Sequence, residues 1–390
     1  MVTNLPAEAK AKWIKVMEAR TPEEKIKALQ EFLSSVPKHK GTEKLISFVR
    51  RRIAELKREI ELRERVRKAA GAKRVKVYVG KEGDVQLALL GLANSGKSAL
   101  LRALTNAKVE VSDVPYTTKL PVPGMFIFEN MYFQLVEAPS IVPGGESTLT
   151  TLAMSIARNA DGLILVVDLS SDPLRQFEIL RSELERAHIL INKPRAIVEI
   201  ERRVSGGIQV VGKLVGCTVD DVRKLLSEYR IHHALVRIIG EATLDDIERA
   251  IFEEYVYKPA IVIGTKLDVA DEVTVREFTK VVGERYPVLT VSSLTGKGLD
   301  RGLIAKTILT TLNLIRVYTK SPYRDAPDEK PLLIKAGSTV IDVAERIHRK
   351  LAENFKYAKI IRFEGSRKRV LRVGKDYVLQ DRDIVEIHTG

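Results

Sequence analysis

Long apolar runs are missing from this chain of 390 residues. None approaches the roughly 18 residues that a membrane-spanning helix requires, so no membrane-embedded role is expected. The opening residues, MVTNLPAEAKAKW, show no apolar h-region of a secretory leader. Cysteine is nearly absent too. Cys217 stands alone, which excludes an internal disulfide framework. Together these absences point to a cytoplasmic protein. Asn and Gln are scarce while 30% of residues are charged, a balance that leans toward a thermophilic source.

Acidic residues are the minority. The chain has 65 Lys and Arg against 51 Asp and Glu, a formal net charge of +14. The surplus is concentrated: residues 1–80 hold 21 Lys and Arg against 10 Asp and Glu, a net of +11. Such a concentration favours a polyanionic partner: nucleic acid, the ribosome or an acidic membrane surface. A solvated helical face is the plainer reading of the same residues. Apolar substance is present in quantity. Hydrophobic residues make up 45% of the chain, and its length exceeds one ordinary core, so roughly two to four domains are expected.

Residues 5–71 read as helices. Thr21-Pro22-Glu23-Glu24 combines an N-cap, a proline at the first helical position and a capping-box glutamate. A further helix starts at Gly41-Thr42-Glu43. Ile46, Val49, Ile53, Leu56 and Ile60 then recur at helical spacing, with Arg50, Arg51, Arg52, Lys57, Arg58 and further cations on the other faces, up to a closing Gly71. From about 84 to 169, apolar strands alternate with helices, the pattern of a parallel α/β sheet. The pattern breaks and resumes at PAIVIGTKLD. Between lie AIVEIERR and GGIQVVGKL, read as a hairpin, with helices around VDDVRKLLSEY and LDDIERAIFEEY. After the linker SPYRDAPDEKP come one helix and several strands, the content of a small β-grasp domain. The expected organisation is a basic, helix-turn-helix-like module over 1–83 and an α/β domain over 84–171 and 258–322. An α+β domain is inserted over 172–257, and a β-grasp domain covers 323–390.

Three stretches carry chemistry. GLANSGKS, Gly91 to Ser98, follows a strand, precedes a helix and fits G-x-x-x-x-G-K-[ST]. Its glycines let backbone N–H groups, those of Asn94, Ser95, Gly96, Lys97, Ser98 and Ala99, curl around phosphates at a helix N-terminus. Lys97 is expected to reach the β- and γ-phosphates, and the Ser98 hydroxyl to ligate Mg²⁺. TKLD, Thr265 to Asp268, also ends an apolar strand. The Asp268 carboxylate would accept from guanine's N1–H and exocyclic amine while the Lys266 stem covers the ring, which favours GTP over ATP. VSSLTGKG places Ser292, Ser293 and Leu294 where a backbone could touch the guanine oxygen.

With these motifs, the chain resembles the developmentally regulated GTP-binding (DRG) proteins of the Obg-related GTPases, archaeal type. YTTKLPVPGM, Tyr116 to Met125, is similar to their switch I. The stretches INKP, SGGI and SEYRIHHALVRI resemble their insertion, and AERIHRKLAENFKYAKI with VGKDYVLQDRDIVEI resembles their C-terminal TGS domain. The likeness covers nearly everything beyond residue 84; the N-terminal helices match only loosely. It implies a P-loop GTPase fold with an inserted α+β domain and a TGS β-grasp domain. It also implies GTP and GDP as ligands, Mg²⁺ as cofactor, and a ribosome- or RNA-linked role in translation. The basic helices and the TGS domain would make the contacts, alongside a small partner protein of the kind this family takes. Thr118 becomes the switch I threonine that closes on Mg²⁺ and the γ-phosphate, with Thr117 as the alternative register. Asn94 falls where some hydrolases of this class hold K⁺ with an asparagine; a turn-forming Asn is the other reading.

LVEAPS, residues 135–140, departs from the family. Asp-x-x-Gly is expected there, and Glu137 and Ser140 stand in the Asp and Gly places. The family's aspartate reaches Mg²⁺ through a water; Glu137 keeps its charge on a side chain one methylene longer, which leaves a water-mediated or a shifted contact open. Ser140 keeps an N–H for the γ-phosphate, but its Cβ restricts the backbone. Ile141 follows where Ras-like proteins carry a water-orienting Gln. Nucleotide binding is expected to survive and hydrolysis to be slow, dependent on K⁺, the ribosome or a partner. The competing expectation is a GTP-sensing RNA or ribosome scaffold with little or no hydrolysis; an ATP-dependent enzyme is a third. His232 and His233 are read as structural, Cys217 as a small core residue. GSRKRVLRVG, Gly365 to Gly374, is read either as an RNA contact or as a solvated turn.

Overall fold

Three helices open the chain: α1 (Ala7–Glu18), α2 (Pro22–Ser35) and α3 (Glu43–Ala69). Before α2 the Glu24 amide donates to the Thr21 hydroxyl and the Thr21 amide donates to the Glu24 carboxylate, so the expected capping box forms around Pro22. The computed structural model describes residues 5–19, 21–38, 42–69, 79–107, 120–144, 147–192, 196–252, 255–322, 324, 326–364 and 367–389. They form two units. One comprises Met1–Val77, Ile141–Arg158 and Arg181–Lys258; the other comprises Tyr78–Ser140, Asn159–Leu180 and Pro259–Gly390.

The chain continues through β1 (Val85–Leu90), α4 (Lys97–Leu104), β2 (Val122–Phe128), β3 (Met131–Glu137), α5 (Thr148–Asn159), β4 (Gly162–Asp168) and α6 (Pro173–Arg186). Next come β5 (Ile189–Leu190), β6 (Ala196–Arg202), β7 (Ile208–Leu214), α7 (Val219–Glu228), β8 (Ala234–Ala242), α8 (Leu244–Phe252) and β9 (Val256–Tyr257). The nucleotide-type sheet is then completed by β10 (Ala260–Thr265) and β11 (Val288–Thr290), with α9 (Glu272–Gly283) between them and α10 (Arg301–Thr311) after them. Its order is β11-β10-β4-β1-β3-β2, parallel except for the β2–β3 hairpin. Every residue of β1, β4 and β10 is buried, as central strands of a parallel sheet require. That topology places the ends of β1, β3, β4 and β10 side by side.

In the first unit, the expected hairpin of AIVEIERR and GGIQVVGKL does not form. β8 lies between β6 and β7, antiparallel to β6 and parallel to β7. The physical reason is polarity. β8 is the most buried of the three, so it takes the place paired on both edges, while β6 and β7 keep many exposed positions. The core of this unit draws residues 5–56 and 208–252 into one cluster. Trp13 of α1 packs edge-on against Phe32 of α2 at 4.8 Å and lies 5.1 Å from Phe252 of α8; Phe252 meets Tyr229 at 5.4 Å. Lys10 pairs with Glu228 at 2.7 Å beside them.

The C-terminal part contains β12 (Leu314–Lys320), β13 (Leu332–Lys335), α11 (Val340–Ile347), α12 (Arg349–Glu353), β14 (Phe355–Glu364), β15 (Arg367–Val373) and β16 (Asp383–Thr389). Its sheet runs β13-β12-β16-β14-β15, so β12, read from sequence as the tail of the α/β pattern, is hydrogen-bonded into this second sheet. Two buried carboxylates of β16 tie this sheet together, and Glu386 is the one that reaches β12, through Lys320. Asp383 takes two hydrogen bonds from the Arg362 guanidinium, at 2.7 and 2.8 Å. Glu386 takes Lys320, Lys359 at 3.2 Å and His388 at 2.7 Å.

Candidate functional site

β1 ends at Leu90 and α4 begins at Lys97, so GLANSGKS spans a strand end and a helix start in the second unit. The first turn of any helix leaves backbone N–H groups without intrahelical acceptors, and this one opens on the loop. Two glycines are sterically required. A Cβ on Gly91 would sit 2.4 Å from the Ser95 hydroxyl and 2.6 Å from the Val166 carbonyl. Gly96 is left-handed at φ +86°, and a Cβ there would crowd Thr265. Asn94 is exposed and also left-handed, at φ +59°, a conformation Asn adopts in turns. Lys97 is 4% exposed. Its ammonium donates to the carbonyls of Gly91 and Leu92, at 3.1 and 2.8 Å. Burial lowers its pKa to about 8, with Glu137 pulling the other way.

The second cluster is fastened to the first by Thr265. Its hydroxyl donates to the Ser95 carbonyl at 2.7 Å and lies 3.2 Å from the Val167 carbonyl, tying the end of β10 to the phosphate loop and to β4. Lys266, left-handed at φ +60°, forms a 2.6 Å ion pair with Asp168 at the end of β4. Asp168 was missed in the sequence; its signal was a lone acid closing the buried strand GLILVVD. Asp268 is exposed. The Leu267 amide donates to Val291 at 3.2 Å, so the TKLD and VSSLTGKG loops adjoin. Within the latter, Ser292 is buried and its hydroxyl accepts from the Thr295 amide, Ser293 is half-buried, and Leu294 is exposed.

LVEAPS meets the phosphate loop at both altered positions. The Ser98 hydroxyl donates to Glu137 at 2.5 Å. The Lys97 ammonium donates to the Ser140 hydroxyl at 3.1 Å. Glu137 and Ser140 are 1% and 7% exposed, so both contacts are screened from bulk water. The longer Glu137 side chain therefore reaches the Ser98 hydroxyl directly, and the side chain that a glycine would lack occupies a hydrogen-bonding position of the lysine. Beyond Ser140 the chain enters the other unit. There Val142 and Thr150 exchange hydrogen bonds at 2.9 and 3.2 Å, and the Gly144 amide donates to Glu183 at 2.9 Å.

Thr117 and Thr118 lie outside the described residues. His232 and His233 are exposed, and His233 accepts from the Gly207 amide. Cys217 is half-buried, and burial together with nearby Asp221 pushes its thiol pKa up, away from nucleophilic use. Among the described residues no cluster of three or more His, Cys, Asp or Glu could hold a metal, and no helix is long and apolar enough to cross a membrane. Residues 367–373 form the edge strand β15, where Arg372 lies over the Tyr357 ring at 3.9 Å.

Comparison with known proteins agrees with this arrangement. Residues 86–200 match the family described as 50S ribosome-binding GTPase, 205–314 match the C-terminal region of that domain, and 315–389 match the TGS domain. An uncharacterized GTP-binding protein of Methanocaldococcus jannaschii is 33% identical over 375 residues, covering 94% of this chain and 92% of its own. The ribosome-interacting GTPase 1 of Saccharomyces cerevisiae is 28% identical, covering 94% and 99%. The developmentally-regulated GTP-binding protein 1 of Xenopus laevis is 27% identical, covering 93% and 98%.

Proposed function

The chain belongs to the developmentally regulated GTP-binding family of GTPases, and from that premise we propose that it is a slow GTP switch acting on the ribosome or its RNA. In this reading Gly91 and the amides of Asn94 through Ala99 cradle the phosphates, with Lys97 on their β- and γ-oxygens. Thr265, Lys266 and Asp268, with the backbone of Ser292, Ser293 and Leu294, select guanine. The donor set fits Mg²⁺: a hydroxyl and a carboxylate, both hard oxygen ligands, meet at Ser98 and Glu137. By the family resemblance Thr118, or Thr117 in the other register, would complete that set. Mg²⁺ supplies charge neutralisation on the phosphate oxygens. Asn94 is the residue through which K⁺ would raise the rate.

The observation that carries slowness is the hydrogen bond from Lys97 to Ser140, because a GTP γ-phosphate must win the ammonium away from it. The same contact favours the second reading, a GTP-sensing scaffold that hardly hydrolyses. The ribosome link rests on the name of the yeast relative, on the basic N-terminal helices and on the TGS domain as contacts. A cytoplasmic location and a small partner protein follow from the same reading.

GTP turnover in K⁺ or Na⁺ tests it, for the natural chain, Lys97→Ala and the Glu137→Asp/Ser140→Gly double variant. Turnover of the natural chain above the Lys97→Ala background supports the switch. No turnover in the natural chain with gain in the double variant supports the scaffold. Equal rates in K⁺ and Na⁺ would remove the role given to Asn94.

A further inference from the structure

The first unit contains a cavity of about 590 Å³, within the range of small-ligand sites. Trp13, Phe48, Arg52, Arg158, His188 and Tyr255 are among its walls. The rings offer flat apolar surface: His188 stands edge-on to Phe48 at 5.2 Å and to Tyr255 at 4.7 Å. The charge is lopsided. Lys25 and Arg202 also line the cavity, against the carboxylate of Glu199. Arg51, adjoining, is hydrogen-bonded to the His188 ring, and Arg51 and Arg52 share Glu55.

The guanidinium of Arg51 donates to His188 Nε2, which leaves the imidazole proton on Nδ1. Burial, then Arg51, Arg158 and Arg52, lower the His188 pKa to about 4, so the ring stays neutral at pH 7. The walls thus favour a flat ring and the cations a negative charge. An alkyl carboxylate offers the charge but no ring face.

We propose that this cavity is a second nucleotide site, separate from the phosphate loop, that takes a phosphorylated nucleoside either free or as an unstacked nucleotide of RNA. Trp13 is the single tryptophan of the chain, so its emission reports on this cavity alone. The experiment titrates the full-length Lys97→Ala variant, disabled at the phosphate loop, with AMP, GMP, CMP, UMP, adenosine, inorganic phosphate and a short single-stranded RNA. At least one nucleotide should change Trp13 emission saturably at millimolar concentration or below, with adenosine and phosphate at least about tenfold weaker. Arg52→Glu should weaken binding about tenfold and Tyr255→Ala several-fold, both with unchanged melting temperature. Tighter binding of the RNA than of any mononucleotide identifies RNA as the source; equal or weaker binding identifies the free nucleotide. No saturable change up to about 5 mM of any of these would overturn the proposal. So would binding indifferent to both substitutions.

Discussion

Ser140 puts a hydroxymethyl group where the family pattern has hydrogen, and Lys97 hydrogen-bonds to it. Removing that acceptor with Ser140→Gly should release a charge-assisted hydrogen bond of about 1.5 kcal/mol and raise single-turnover GTP hydrolysis roughly ten-fold; an unchanged rate would mean that the contact does not resist the γ-phosphate. Lys97 also sets a pH dependence. Its ordinary pKa of 10.5 falls to about 8 through burial. The unfolded chain therefore holds more protons than the fold between those values, and stability rises with pH across that window. Nucleotide affinity moves the other way, because phosphates select the ammonium. GTP should bind about tenfold more weakly at pH 9 than at pH 7, and Lys97→Arg should flatten the profile. Both altered residues could be read from LVEAPS, since the motif spacing points to them. What they touch could not be read: the Lys97–Ser140 contact joins positions 43 apart in the chain, and its geometry depends on β1 and β3 lying side by side.

At the scale of elements, local signals fared best where partners are near in sequence. The α2 capping box and the β2–β3 hairpin need only short stretches. β6 and β7 look like a hairpin for the same reason, yet a more apolar strand twenty residues on intervenes, and a local pattern cannot show that competition. The carboxylates of the second sheet are of this non-local kind. Burial would raise the Glu386 pKa, but hydrogen bonds from Lys320, His388 and Lys359 hold it at about 2. A depressed folded value stabilises above the ordinary carboxylate pKa of 4.5, and that stability is lost as pH falls from there toward 2. Glu386→Gln should cost the C-terminal domain about 2 kcal/mol at pH 7 and little at pH 2, read by denaturant unfolding. Thr265→Val leaves the Ser95 carbonyl without the hydroxyl that donates to it. It should cost about 1–2 kcal/mol and weaken GTP binding several-fold, while Thr265→Ser should retain most of both.

Across the whole molecule, the N-terminal helices and the segment 208–252 complete one core. The spacing of Ile46, Val49, Ile53 and Leu56 announces that a face is buried, but nothing in periodicity names the surface it meets, nearly two hundred residues later. The joint is aromatic: Trp13 is 5% exposed, with Phe32 and Phe252 against its ring. Large-to-small substitution at such a site costs the lost transfer energy plus a residual cavity, about 3–5 kcal/mol for Trp13→Ala. The two cores differ in their members: no residue of the phosphate-loop core belongs to this one. Trp13→Ala should therefore speed amide exchange in α7, α8 and β8, far from it in sequence, as much as in α1 and α2. Exchange in β1, β4 and β10 should hold, and GTP affinity should stay within about twofold. Fast exchange confined to α1–α3 would instead mean that the helices dock onto a segment stable without them, and the aromatic joint would be an adornment of that segment rather than its core.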